Sequence, residues 1–326
     1  MSDEIKECHW ICNREHRVDI LLSTYNGAKY LPELLESILM QTYQGWRLLI
    51  RDDGSTDGTT GIVNDFCKQY SEKVLYLQDE ENTLGPSQSF SRLMNSSDAK
   101  YILFCDQDDV WLNNKVELTL EKMLQLENEA PNQPLLLHTD LMVVNEKLHL
   151  LSNSFLKYQK LNPELSELHQ ILIQNVVTGC TLMINRPLKL RAHPIPNQAI
   201  MHDWWLALTA SIFGRIYYIN CPTILYRQHG RNSVGAKKYG IKLFMTKFRN
   251  ASESIKRTLA QGKCLSKRFG GKLNEGQIKC IENYIYLPQK SRVARMRLLY
   301  KYGFKKHGFL RNLGFIITIL LWKRSK

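Results

Sequence analysis

The chain has 326 residues, 44% hydrophobic and 23% charged, with a formal net charge of +13. Such a length holds one large domain with an appendage or two modest domains, and this apolar content excludes a disordered chain. The charge is uneven: residues 236 to 326 hold 23 Lys and Arg against 3 Asp and Glu, whereas the rest holds 21 against 28. An acidic body with a basic tail is expected. Met1 to Arg17 is polar and charged and lacks an apolar stretch, so no secretory leader is read there and the start of the chain is expected to stay in the cytosol. The eight cysteines are scattered, with Cys67, Cys105 and Cys180 inside apolar runs, and read as reduced core residues. Cys8, Cys12 and His16 have loose zinc-like spacing, but no second ligand pair follows, and a frayed N-terminus is preferred.

In chain order, Val18 to Ser23 is a compact apolar strand that ends in the polar turn Thr24-Tyr25-Asn26-Gly27. Leu31, Leu34, Leu35, Ile38 and Leu39 then recur at helical spacing, with Pro32 near the first turn. Trp46 to Arg51 is the next strand, and Ile62, Val63, Phe66 and Cys67 mark the next helix. Val74 to Leu77 is a third strand, Pro86 to Met94 a short helix, Tyr101 to Cys105 a fourth strand, and Val116, Leu120, Met123 and Leu124 a further helical stripe. This alternation with short links predicts a parallel sheet covered on both faces. Beyond Ala130 a mixed half follows: Leu135 to His138 and Leu141 to Val144 are β-like, and Leu148 to Leu151 returns as a hairpin. Thr178 to Ile184 reads as a central strand, Asp203 to Ser211 as a helix and Arg215 to Ile219 as an edge strand. One continuous sheet is expected up to about Gly235, and from Ile241 the segments are helical, basic and aromatic-rich, a separate module.

Two acidic clusters, Asp52-Asp53-Gly54 and Asp106-Gln107-Asp108-Asp109, each follow a β-prone run and therefore fall at the carboxyl end of a strand, where open α/β sheets bind ligands. Carboxylates crowded there repel one another and resist desolvation unless a cation or a hydrogen-bonding ligand offsets them. A metal-dependent enzyme acting on a nucleotide diphosphate is the chemistry this suggests.

Leu21-Leu22-Ser23-Thr24-Tyr25-Asn26-Gly27, the stretch Arg51-Asp52-Asp53-Gly54-Ser55-Thr56-Asp57-Gly58-Thr59 and Asp106-Gln107-Asp108-Asp109-Val110-Trp111 together resemble the family 2 glycosyltransferases of GT-A fold. The resemblance covers residues 17 to 235. It implies an α/β fold with a Rossmann-like, mostly parallel central sheet and helices on both faces, preceded by an extension over 1–16. Residues 236–326 are expected as a basic helical module that associates with membrane. In the resembled family Thr24, Tyr25 and Asn26 line the nucleotide pocket and Asp53 contacts the base; an acceptor-only carboxylate suits the N3–H donor of uracil or thymine. Asp52 and Asp53 can instead cap the following turn. Asp106-Gln107-Asp108 matches the DXD motif, whose alternate carboxylates on an extended segment hold a divalent cation against the diphosphate. Asp108 is the expected ligand of Mn2+ or Mg2+, and Asp106 is assigned to the ribose or a metal-bound water. Asp109 is read preferably as a cap of the helix after Trp111.

His229, in Tyr226-Arg227-Gln228-His229-Gly230-Arg231-Asn232-Ser233, matches a late loop that closes over the donor and adds an imidazole ligand; a solvated histidine is the alternative. Arg231 of that loop is assigned to the donor. Asp203, in His202-Asp203-Trp204-Trp205, matches the general base that takes the acceptor proton on the face opposite the leaving group, and it can also cap its helix. Trp111, Trp204 and Trp205 can stack on sugars, although core packing is the commoner role.

The resemblance implies an inverting transferase. The chain has neither the Gln-x-x-Arg-Trp motif nor the membrane spans of the processive synthases, so one sugar should be added and released. Asp-Gln-Asp-Asp-Val-Trp with a late Arg-x-His-x-x-Asn resembles bacterial rhamnosyltransferases of cell-wall or capsular polysaccharide, which implies dTDP-L-rhamnose as donor, with UDP-galactose or UDP-glucose as alternatives. The apolar stretch Leu313 to Trp322 is ten residues long, short of the ~20 needed to cross a bilayer. Flanked by Arg295, Arg297, Lys301, Lys305, Lys306 and Arg311 and by Lys323-Arg324-Ser325-Lys326, it suits a segment lying in an anionic membrane surface, with an ordinary core helix as the alternative. The expected location is therefore cytoplasmic, peripheral on the inner face of the cytoplasmic membrane, with a lipid-linked glycan as acceptor. A nucleic-acid-binding protein is disfavoured by the acidic body and the lack of a motif. A non-catalytic nucleotide-sugar scaffold is disfavoured by intact Asp53, Asp108 and Asp203.

Overall fold

The computed structural model describes residues 16–79, 83–230 and 251–323. Cys8, Cys12, Arg231, Asn232, Ser233 and the expected boundary at 235 lie outside them.

Nine strands form one sheet. They are β1 (Val18–Thr24), β2 (Trp46–Asp52), β3 (Val74–Tyr76), β4 (Tyr101–Cys105), β5 (Val110–Trp111), β6 (Leu135–Asn145), β7 (Leu150–Ser152), β8 (Leu182–Asn185) and β9 (Arg215–Gln228). The spatial order is β3-β2-β1-β4-β8-β6-β9-β5, with β7 paired to β6. β3, β2, β1 and β4 run parallel. β8 runs antiparallel to β4 and to β6, which turns β6 back to the direction of β4, and β9 pairs parallel with β6. The carboxyl ends of β1, β2, β4 and β9 and the amino end of β8 therefore meet at one sheet edge.

The body helices are α1 (Leu31–Leu39), α2 (Thr59–Gln69), α3 (Pro86–Ser96), α4 (Lys115–Glu129), α5 (Phe155–Gln159), α6 (Leu168–Ile171), α7 (Arg186–Ala192) and α8 (His202–Phe213). Because successive strand residues point to opposite faces, the parallel half needs helices on both sides. Ile20, Leu22, Leu48, Ile50 and Leu103 fall in one buried cluster with Leu34, Ile38 and Val63, whereas Leu21, Leu49, Ile102 and Phe104 fall in the other with Phe90, Leu93 and Trp205. Asp19, fully buried on β1, is neutralised by Arg47, whose Nε and a terminal nitrogen donate to its two oxygens at 3.1 and 2.8 Å, and it accepts from the Ser97 hydroxyl at 2.7 Å.

Two strand expectations need correction. Thr178 to Ile184 is not one strand: Gly179–Thr181 is a 3-10 turn and the central strand is Leu182–Asn185. Arg215 to Ile219 is only the first part of a longer strand, since β9 continues to Gln228; over Arg215 to Ile219 it pairs with β6 alone, as an edge does, and β5 pairs only with Ile224 and Leu225 further on. Asn220-Cys221-Pro222 looks like a strand end in sequence, but register shifts near Thr139 and Asp140 on β6 accommodate it as an irregularity within the ladder.

Four helices follow: α9 (Ala251–Phe269), α10 (Glu275–Ile285), α11 (Arg292–Lys301) and α12 (Phe309–Leu321). Ile255, Leu265, Phe269, Tyr284, Phe315 and Ile319 belong to the same buried cluster as Trp205 and Leu206 of α8. Phe269 stacks on Trp205 at 5.9 Å between ring centroids, and Gln277 donates to the Ile212 carbonyl at 2.9 Å. Among the described residues these helices and the body share one core. No helix among them is long and apolar enough to cross a membrane.

Candidate active site at the carboxyl edge of the sheet

The first loop and the two acidic clusters hold one another. Thr24 ends β1 fully buried and donates its hydroxyl to Asp52 at 2.7 Å. Gln107 spans to the backbone of Tyr25, accepting from its N–H and donating to its carbonyl, each at 2.8 Å. Asn26 has φ 49°, a left-handed backbone that Asn tolerates. It donates its N–H to the Ser55 hydroxyl and accepts from Thr56 N–H, both at 2.8 Å. A Cβ at Gly27 would stand 2.3 Å from Gln107 Oε1, so a larger residue there would push the Gln107 amide off its bridge to Tyr25.

The adjacent carboxylates of β2 do different work. Asp52 accepts from Gly54 and Ser55 N–H at 3.1 and 2.7 Å and from the Ser55 hydroxyl at 2.6 Å, so it builds the turn. Asp53 is 6% exposed and accepts from Arg51 at 2.7 Å and from Leu84 and Gly85 N–H at 2.8 Å each. It thereby fixes the entry to α3 beside the expected base pocket.

Residues 106–109 are not the extended segment the alternation argument assumed, because Gln107 and Asp108 occupy a turn. Their side chains consequently diverge. Asp106 joins Asp109 and Cys180, whose ligand atoms lie within 4.8 Å of one another. Burial, then the Asp108 charge, pushes the Asp106 carboxyl up to about 7, and burial pushes Asp109 well above the carboxylate range. Lys115, fully buried, donates to the Cys180 carbonyl at 3.0 Å and supplies a cation behind this cluster; burial pulls its ammonium down to about 8. Asp109 does not cap the helix after Trp111: α4 starts at Lys115 with Asn114 as its N-cap residue, and Asp109 accepts from Arg227 N–H at 3.2 Å.

Asp108 faces the other way. Its Oδ2 lies 2.8 Å from His229 Nε2, although the two residues are 121 apart in sequence. His229 stacks on Tyr30 at 4.6 Å. Arg227, which sequence reasoning quoted but assigned no role, is buried beneath: its Nε donates to the Asp108 carbonyl at 3.0 Å and a terminal nitrogen donates to the Glu146 carbonyl at 2.8 Å. It also pairs with Glu33 and lies over the Tyr30 ring at 4.8 Å.

Asp203 sits in the first turn of α8, not at its cap, which is Met201. Trp204 N–H donates to its Oδ1 at 2.5 Å. Burial pushes its carboxyl up to about 7; the Trp204 N–H opposes this, the Asp106 charge adds to it, and Gly179 N–H and the Asn175 amide oppose it. Gly179 and Asn175 carried no sequence signal. The neighbouring His202 is buried between Phe90 and Phe104, at centroid distances of 4.1 and 5.2 Å, and burial drives it down to about 3, so it is neutral. Trp205 and Trp111 are buried core residues, and Trp204 donates to the Ile171 carbonyl at 2.6 Å.

A divalent cation has two candidate donor sets. In the Asp106, Asp109 and Cys180 set, burial keeps the thiol protonated, and a hard cation such as Mg2+ or Mn2+ gains little from sulfur. Asp108 and His229 offer a carboxylate oxygen and an imidazole nitrogen converging from two strand ends, a pair able to ligate a divalent cation.

The model of glycosyl transferase family 2 matches residues 19–182. A dTDP-rhamnosyl transferase of Shigella flexneri, RfbG, is 28% identical over 232 residues, covering 66% of this chain and 74% of that protein. The UDP-Glc:alpha-D-GlcNAc-diphosphoundecaprenol beta-1,3-glucosyltransferase WfgD of Escherichia coli is 26% identical over 229 residues, covering 69% of this chain and 82% of its own length. Among solved structures, S. aureus TarS aligns with a TM-score of 0.52 at 18% identity over 94% of this chain and 81% of that one. A mannosyltransferase of Pyrobaculum calidifontis, solved with GDP-Man and Mn2+, aligns with a TM-score of 0.51 at 15% identity over 94% and 85%. The structural likeness is one of fold, the GT-A arrangement of a mostly parallel sheet with helices on both faces. With its first strand, both acidic clusters and the turn before β8 inside the matched span, the chain belongs to glycosyl transferase family 2 and is a glycosyltransferase.

Proposed function

We propose that this enzyme transfers one sugar, with inversion, from a dTDP- or UDP-linked donor to a lipid-linked glycan during cell-surface polysaccharide synthesis, working as a peripheral protein on the inner face of the cytoplasmic membrane. The observation that carries the reading is the meeting of Asp108 and His229 at the carboxyl edge of the sheet, with Asp203 held in the first turn of α8 beside Gly179 and near enough to Asp106 to feel its charge. L-rhamnose is the preferred sugar, supported by the likeness to the Shigella flexneri dTDP-rhamnosyl transferase. A UDP-hexose is the second reading, supported by the Escherichia coli glucosyltransferase.

Asp108 and His229 would hold Mn2+ or Mg2+, which supplies positive charge against the departing diphosphate. Thr24, Tyr25, Asn26, Asp53 and Asp106 are assigned to the donor side, with Asp53 reading the pyrimidine, and Arg231, outside the described residues, is assigned to the donor from the sequence alone. Asp203 takes the hydroxyl proton of the acceptor while that oxygen bonds to the anomeric carbon. The bond from that carbon to the diphosphate oxygen breaks in the same step and leaves with its electron pair. A carboxyl titrating near 7 is well matched to this exchange near neutral pH.

The test is incubation with Mn2+ and dTDP-L-rhamnose, UDP-glucose or UDP-galactose, read by thermal stabilisation and by the anomeric configuration of the product. Stabilisation and turnover with dTDP-L-rhamnose and an inverted product are expected. Preference for a UDP-hexose selects the second reading, and a trapped glycosyl-enzyme adduct rules out the mechanism.

A further inference from the structure

Past Glu282 the sequence contains no Asp or Glu, while residues 283 to 326 hold eleven Lys and Arg. Helix α11 lies in this stretch and has two unlike sides. The inner side buries Arg295 and Leu299. Arg295 donates to the Ile319 and Trp322 carbonyls at 2.7 and 2.9 Å and so closes the C-terminal end of α12, where orphan carbonyls and the helix dipole favour a cation.

On the outer side Val293, Met296 and Tyr300 are 62%, 47% and 93% exposed. At helical spacing these three positions fall within an arc of about 60°. Arg292 borders that arc on one side and Arg297 and Lys301 border it on the other, all of them exposed. An apolar stripe left in water marks an interaction surface, and the frame of cations specifies an anionic partner with an apolar interior. We propose that this face of α11 docks the enzyme on an anionic lipid bilayer. The helix lies along the surface, with Val293, Met296 and Tyr300 at the boundary between headgroups and acyl chains and Arg292, Arg297 and Lys301 on the lipid phosphates.

The inference rests on the peripheral attachment in the proposed function and adds a second segment to the one the sequence favoured, where Leu313 and Leu321 are 40% and 65% exposed. Within Leu313 to Trp322, the buried Gly314, Phe315 and Ile319 face the core.

The experiment is co-sedimentation of the full-length protein with vesicles containing phosphatidylglycerol and with pure phosphatidylcholine vesicles. The protein should bind the anionic vesicles selectively. Combined Val293→Ser, Met296→Ser and Tyr300→Ser should lower that binding about tenfold or more. The melting temperature should be unchanged, and Leu190→Ser, which alters an exposed apolar residue on α7, should have no effect. Failure to bind anionic vesicles, equal binding to neutral ones, or wild-type binding by the triple variant would overturn the proposal, as would retention on RNA at a salt concentration that abolishes vesicle binding. Calorimetry with dTDP and Mn2+ keeps the two readings apart: loss of nucleotide binding sinks the donor reading and leaves the vesicle result to decide the docking face.

Discussion

His229 Nε2 and Asp108 Oδ2 stand 2.8 Å apart, one just past the carboxyl end of β9 and the other just past that of β4. The sheet order makes the meeting possible, because β9 and β4 point the same way although two strands separate them. Tyr30 backs the imidazole and Arg227 grips the Asp108 carbonyl, so both donors are held before any ligand arrives.

Replacing either partner should weaken the affinity for Mn2+ with dTDP. His229→Ala is expected to lower it about tenfold or more, and Asp108→Ala to remove the metal-dependent part. In calorimetry the double variant should lose less than the two single losses combined, because the residues act as one unit. Full additivity, or unchanged affinity in His229→Ala, would reduce the pair to a structural contact.

Asp203→Asn should keep donor affinity and lower turnover about 100-fold or more. In the wild type the base works only when deprotonated, so kcat should fall as pH drops below about 7, where burial and the Asp106 charge hold the proton on. The stability sign is the opposite of a salt-bridged carboxylate. A folded pKa above the unfolded one means that the native state binds the extra proton between about pH 4 and about pH 7, and stability is lost as pH rises through that window. Thermal melts should therefore show the Asn variant gaining on the wild type toward about pH 8, and a flat difference would contradict the buried-carboxylate account.

Much of this was legible in local sequence. The β1 to α4 half has short links, apolar strands and helical stripes such as Leu31, Leu34, Leu35 and Ile38, and both acidic clusters stand at strand ends as read. The rest depended on contacts between distant residues. No local pattern announces that Arg227 N–H meets Asp109, 118 residues away, or that β9 runs on through Pro222. The turn at Gln107 and Asp108 separated two carboxylates that alternation in an extended strand would have aligned. The C-terminal helices looked like a module apart because their charge is so different, yet their inward residues Phe269 and Tyr284 pack in the body's core.

Arg227→Lys should expose what the guanidinium does. Lysine keeps the charge but cannot bond the Asp108 and Glu146 carbonyls and pair with Glu33 from one planar fork. A loss of about 1–3 kcal/mol of stability in urea unfolding is expected, together with weaker Mn2+ and dTDP binding. Loss of stability with wild-type metal affinity would show that the fork supports the strand and not the site.

Gly179→Ala tests how closely the base is packed. A Cβ there would stand 2.9 Å from His202 Nε2 and 3.7 Å from Asp203 Oδ2. The imidazole has little room to yield, since Phe90 and Phe104 pack against it, so the added methyl should displace the first turn of α8 and the carboxylate it carries. The same residue's N–H helps to hold Asp203 charged, and that contact should loosen as well. We expect about 1–3 kcal/mol of destabilisation from overpacking, with kcat reduced much more than donor affinity. Gly179→Ser should behave similarly, because the clash begins at Cβ. The distinguishing readout is the pH profile: if the carboxylate is moved from its N–H partner, the acid limb should shift to higher pH in the Ala variant. A fall in stability with kcat and the pH profile untouched would mean that Gly179 relieves crowding around His202 alone and does not position the base.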